Sequence, residues 1–268
     1  MFLVLKKEYL AMLGLVVMLV STVCVFSFMD RDELATAISI TDSEGLYANV
    51  EAAADIKGKT VIVDAGHGGD DPGAVSDYNN IVEKEVNLEI AKRVSELLKG
   101  DGLNVVMTRE EDVLQYPEGT SGMTAKRKAD LTKRKELIDS SDAECCVSIH
   151  LNKFKQTQYH GAQVFFPHKS DESKKIAESI QKAIKEVADP SNERTALVRG
   201  KANELPIMIF RDLVKPTVVV ECGFLSNEEE EKKLADPAYK EKLAQAIRKG
   251  TIDYLNSKSS SSALPKSS

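Results

Sequence analysis

The strongest constraint on this chain is an alternation. Short apolar runs rich in β-branched residues are interleaved with longer stretches of helical period. Candidate strands are Thr60–Asp64, Asn104–Thr108, Glu144–Ile149, Ala162–Phe166, Ile207–Phe210 and Thr217–Val220. Candidate helices are Val82–Lys99, Thr124–Ser140, Glu172–Val187, Glu228–Leu234 and Pro237–Asn256. Strands that are apolar on both sides need helices above and below them. The pattern therefore predicts an α/β fold: a central mixed, mostly parallel sheet with helices on both faces. In such folds ligands bind beyond the carboxyl ends of the strands, so those ends are where chemistry is to be sought.

The flanks are of a different kind. Leu10–Met29 is almost wholly apolar, with Lys6-Lys7 before it and Asp30-Arg31-Asp32-Glu33 after it. About 20 such residues make a helix of ~30 Å, the thickness of a bilayer core, and the lysines place the start of the chain on the cytoplasmic side. Residues 1–29 are thus expected to be a signal-anchor or a signal peptide. Ala35-Thr36-Ala37 offers a small-residue cleavage site, so both outcomes stay open. Either way an extracytoplasmic location follows. Residues 30–57 read as a polar linker, 58–256 as one catalytic-size domain, and the serine-rich 257–268 as a disordered tail. Net charge is -6 with acids and bases mixed, which argues against a nucleic-acid partner. Four cysteines form no metal spacing, and Cys145-Cys146 on one strand must face opposite ways.

Three strand ends carry polar side chains. Val61-Ile62-Val63 runs into Asp64-Ala65-Gly66-His67-Gly68-Gly69, with Pro72-Gly73 beyond, so a histidine is presented by a loop whose glycines permit sharp bends and close approach. The run Cys145–Ile149 stops on His150 and continues to Asn152; Thr217–Val220 stops on Glu221. A strand-end histidine is often only a satisfied core residue, and two of them in one sheet are harder to dismiss. Glu83 lies three before Val86 and seven before Ile90, hence on the inward stripe of its helix, whereas Glu85, Glu89, Lys92 and Glu96 line a solvated face. Two histidines, one carboxylate and an open position suit a catalytic zinc site. A buried Glu221 needs a partner or a nearby cation, and beside a metal it suits a general base. Its neighbour Cys222 points to the opposite face and reads as core. Lys126-Arg127-Lys128 and Lys133-Arg134-Lys135, at helical spacing, read as a solvated face.

Taken together, GHGGDDPGA, Glu83-Lys84-Glu85-Val86-Asn87-Leu88, Thr108-Arg109, Ser148-Ile149-His150-Leu151-Asn152 and Val220-Glu221-Cys222-Gly223-Phe224-Leu225-Ser226-Asn227 resemble the zinc-dependent N-acetylmuramoyl-L-alanine amidases over about residues 59–256. The resemblance implies a zinc-hydrolase fold with His67, Glu83 and His150 as Zn2+ ligands and Glu221 as the catalytic carboxylate. It implies cleavage of the amide between N-acetylmuramic acid and L-alanine in peptidoglycan. Asn152, Arg109 and Arg134 are candidates for positioning or structure, and Asp64 is expected to accept a hydrogen bond from His67. The segment between Phe166 and Ile207 is too short for an autoinhibitory helix over the zinc, and a compact, singly anchored chain is similar to the germination-specific amidases of spore formers. These act in spore cortex on the route to muramic-δ-lactam. Without a built-in lid, control by a regulatory partner protein is implied. An exported zinc peptidase acting on the peptide stem and a non-catalytic wall-binding relative are the alternatives.

Overall fold

The computed structural model describes residues 56–200 and 207–262, with side chains to residue 259. In chain order the elements are β1 (Thr60–Ala65), α1 (Glu83–Gly100), β2 (Asn104–Met107), α2 (Met123–Ser140), β3 (Cys145–Asn152), β4 (Gln163–Pro167), α3 (Asp171–Ala183), β5 (Leu197–Arg199), β6 (Thr217–Phe224), α4 (Glu228–Ala235) and α5 (Pro237–Ser262). A π-turn, Ile184–Ala188, extends α3, and a 3-10 turn, Met208–Phe210, precedes β6. The six strands form one sheet in the order β2-β1-β3-β6-β4-β5. All neighbours are parallel except β4 against β6. The mixed, mostly parallel sheet with helices on both faces is the architecture the alternation predicts.

The two faces are covered unequally, and this decides where the site lies. Odd-numbered residues of β1 and β3 and even-numbered residues of β6 (Val61, Val63, Cys145, Val147, Ile149, Val218, Val220 and Cys222) join the large core under α1, α3, α4 and α5. The opposite parity, Ile62, Cys146 and Val219, forms a small cluster with Ile138 of α2 and with Ile209 and Phe210. Cys145 and Cys146 therefore do face opposite sides. α1 supplies the thick side with Val86, Ile90, Ala91, Val94 and Leu98 at helical spacing. Each of the valine, isoleucine and leucine side chains contributes roughly 1.5–3 kcal/mol on burial. α2 buries only Asp130, Arg134 and Ile138, one stripe of i, i+4 and i+8 whose inward groups are mostly charged. Arg134 thus turns inward and does not belong to a solvated face, because that stripe covers a polar patch of the sheet.

Two further expectations change. The apolar run Ile207–Phe210 is not a strand; its apolar side chains cap the thin cluster from a 3-10 turn. Helix α5 continues to Ser262, so residues 257–262 are helical where disorder was expected, and residues 263–268 lie outside the described part. Among the described residues no helix is long and apolar enough to cross a membrane. The expected membrane segment and most of the linker lie outside them.

Candidate active site

Period two on the strands puts a row of polar groups on the thin face. Asp64 follows Ile62, Ser148 and His150 follow Cys146, and Glu221 follows Val219. Register aligns them across the sheet: Asp64 pairs with Ser148, and His150 with Glu221. Asp64, His150 and Glu221 line a cleft of about 500 Å³ with His67, Glu83, Leu131, Asn152, Arg199 and Met208 among its walls. A bulge in the β3–β6 ladder between His150 and Asn152 turns the end of β3 at this point.

His67 sits in the left-handed backbone region, φ 62°, a conformation that costs a non-glycine residue about 1 kcal/mol or more. Contacts around it hold that conformation. Arg134 Nη2 donates to the His67 carbonyl at 2.7 Å, and His67 Nδ1 meets Asp71 Oδ2 at 2.9 Å. Arg127 and the Gly73 N–H in turn hold Asp71 Oδ1. The other imidazole nitrogen, Nε2, lies 3.2 Å from Glu83 Oε1. Burial disfavours a charge on His67, yet the hydrogen bonds to Asp71 and Glu83 outweigh it and push its pKa up to about 9.

Glu83 stands at the first position of α1, facing inward. Its Oε1 accepts from Leu151 N–H at 3.1 Å and lies 3.0 Å from His150 Nδ1, while Oε2 accepts from Ala74 N–H at 2.7 Å. Burial works against its charge, but His150 and His67 hold the carboxyl well below the usual carboxylate range. Two glycines make this approach possible. A Cβ on Gly66 would stand 2.2 Å from His150 Cε1, and one on Gly73 (φ +68°) would stand 2.6 Å from Glu83 Oε2 and 2.7 Å from His67 Cδ2. His67, Glu83 and His150 each offer one ligand atom, and these atoms lie within 4.8 Å of one another. Two imidazoles and an ionised carboxylate, drawn together at an open cleft, fit a divalent cation of the zinc type. His160 and His168 are exposed on other loops.

Glu221 faces the cleft from β6. Its Oε1 accepts from Arg199 Nη1 at 2.6 Å. Its buried Oε2 has no hydrogen-bond partner among the described residues. Burial raises its pKa, with His150 and Arg199 opposing and Glu83 adding to the rise. Cys222 packs in the large core, and burial pushes its thiol well up.

The expected role of Asp64 is corrected. Asp64 is not on His67; it accepts from Thr108 Oγ1 at 2.6 Å, from Arg134 Nη1 at 2.9 Å and from Ser148 Oγ. Strand alternation directs it across the sheet face toward α2, whereas Asp71, four residues after His67 round a tight loop, meets the imidazole. Arg109, also buried, donates to the carbonyls of Ala65, Gly66 and Lys84 at 2.8, 3.0 and 2.8 Å, tying the histidine loop to the start of α1. Asn152 lines the cleft, and its carbonyl accepts from Leu225 N–H.

The N-acetylmuramoyl-L-alanine amidase family matches residues 61–253. The chain belongs to that family. The amidase is 37% identical to the germination-specific N-acetylmuramoyl-L-alanine amidase of Bacillus subtilis, over 76% of this chain and 82% of that one. Among solved structures it is 42% identical to the CwlD amidase of Clostridioides difficile, determined in complex with the GerS lipoprotein. The match covers 74% of this chain and 99% of that chain, with a TM-score of 0.70. An N-acetylmuramoyl-L-alanine amidase of Clostridium difficile 630 follows at 32% identity and a TM-score of 0.64, over 75% and 99% of the two chains.

Asp71 and Arg199 are among the residues of the amidase's cleft that sequence reading missed. Asp71 had a usable signal, the i, i+4 spacing to His67 within GHGGDDPG. Arg199 had none, since it lies on an exposed three-residue strand without period.

Proposed function

We propose that this amidase is a zinc-dependent hydrolase of peptidoglycan. In that reading it cleaves the amide between N-acetylmuramic acid and L-alanine, outside the cytoplasm, in spore cortex on the route to muramic-δ-lactam. The observation that carries the chemistry is the meeting of His67, Glu83 and His150 within 4.8 Å, in the same cleft as a buried Glu221 that keeps one oxygen unpartnered among the described residues. The cortex role rests on the similarity to the germination-specific amidase of Bacillus subtilis.

His67 and His150 would supply imidazole nitrogens and Glu83 a carboxylate oxygen to zinc. When bound, the ion supplies Lewis acidity, which polarises a carbonyl and acidifies water at neutral pH. Asp71 fixes the ring and tautomer of His67. Glu221 removes a proton from the attacking water and returns it to the alanine nitrogen as the carbon–nitrogen bond breaks. Burial above β6 raises its pKa and so improves it as a base. Because one relative was solved with a lipoprotein bound, a regulatory partner protein is also proposed here.

Mass spectrometry of muropeptides released from purified cortex and vegetative walls tests the reading. New L-alanine amino termini and stem-free muramic acid are expected, with cortex favoured. Release of D-alanine would instead make the chain a stem peptidase.

A further inference from the structure

Arg199 enters the cleft from an unexpected direction. It ends β5, which among the described residues pairs only with β4, so β4 lies between it and β6. Its side chain reaches back across β4, with the guanidinium 5.4 Å from the Phe165 ring centroid, and closes on Glu221 Oε1 at 2.6 Å. Glu221 is 5% exposed at its side chain and Arg199 39%. A planar, permanently charged group laid over an aromatic face has few orientations left. It presents one N–H to one oxygen of the carboxylate and leaves the other, Oε2, with no protein partner among the described residues.

A general base needs one lone pair free and aimed at the proton it takes, while the rest of the carboxylate is held still. We propose that Arg199 is the positioning residue of Glu221: it pins Oε1, stops rotation of the carboxylate, and so selects Oε2 as the oxygen that handles the proton. This rests on the reading of Glu221 as the general base. A bidentate clamp would occupy both oxygens and block the base; a single N–H leaves one free. The exposed edge position of Arg199 lets it be changed without opening the core, since β5 carries no buried residue.

The test is a cycle of Arg199→Met, Arg199→Lys, Glu221→Gln and the double variant Arg199→Met/Glu221→Gln, each assayed on peptidoglycan for kcat and KM and by metal analysis for zinc content. Arg199→Met is expected to lower kcat about tenfold or more, with KM within about twofold and zinc unchanged. Arg199→Lys should recover part of kcat by restoring one N–H to Oε1. In the Glu221→Gln background, Arg199→Met should add no further loss, because the group it orients is gone. A normal kcat in Arg199→Met overturns the proposal. So does a loss carried by KM, or a full additional loss in the double variant; either makes Arg199 a contact of the substrate. Near-wild-type turnover in Glu221→Gln would instead remove the general base itself, a failure visible without reference to Arg199.

Discussion

The crowding around His67 and Glu83 makes single atoms decisive. A methyl group on Gly66 would overlap the His150 ring, and its nearest heavy atoms are all imidazole atoms within 2.7 Å. Gly66→Ala is therefore expected to displace His150, lowering zinc affinity about 10-fold or more while the domain stays folded, as equilibrium dialysis against zinc will report. The ligands and the base should separate cleanly. His67→Ala or His150→Ala removes a ligand and loses the metal. Glu221→Gln keeps the metal and lowers kcat by roughly 10²–10⁴-fold. Metal content and product release, measured on the same samples, check both. If Glu221→Gln turns over like the wild type, the base lies elsewhere. The sequence made these four residues legible because each interrupts an apolar pattern: a strand that ends on His or Glu, a helix whose inward stripe starts with Glu. It did not reveal that Asp71 and not Asp64 meets His67. Adjacency along the chain says little once the loop turns through left-handed φ.

The elements divide the labour between a thick face that holds the fold and a thin face that, with Glu83 from the start of α1, carries the cleft. On the thin face, Asp64 of β1 and Arg134 of α2 form a buried pair, each about as buried as the core, with Thr108, Ser148 and Asp130 completing their hydrogen bonds. Burial works to raise the Asp64 pKa, but the Arg134 charge and the two hydroxyls outweigh it and hold it at about 2, below its ordinary 3.8. The folded pKa is depressed, so the stabilisation is present above pH 3.8 and is lost as pH falls through about 2. The difference corresponds to roughly 2 kcal/mol at neutral pH. Urea denaturation of wild type and Asp64→Asn across pH 2–7 should show a gap that is constant above pH 5 and narrows below pH 4. Arg134→Met should cost about 3–5 kcal/mol, because it strands a buried carboxylate; a loss under 1 kcal/mol means the pair is dispensable. At this scale the pattern predicted five of six strands and all five helices, since long periodic stretches specify themselves. It failed on Ile207–Phe210 and Leu197–Arg199. An apolar tetrapeptide suits a strand and a capping turn equally, and an exposed three-residue edge strand has no period to read.

At the scale of the molecule, the proposed metal centre is an addition to the core. The proposed ligands come from the loop after β1, from α1 and from β3, and each of those elements is already anchored by side chains of the large core that lie away from the cleft. Structural zinc sites behave differently, because there the metal replaces a core and its removal unfolds the chain. Here chelation should leave the far-ultraviolet spectrum unchanged at 25 °C while abolishing hydrolysis, and zinc should restore it. An ion held by the folded state alone would add RT ln(1 + [Zn]/Kd), about 4 kcal/mol at a thousandfold excess over Kd. For a domain of this size that corresponds to a fall in Tm of roughly 10 °C on chelation. Three measurements on one sample, circular dichroism, melting temperature and amide cleavage, separate the cases. Unfolding on chelation would make the site structural, and full activity without metal would remove it from the chemistry. A folded, less stable, inactive and restorable protein is the outcome this arrangement of elements predicts.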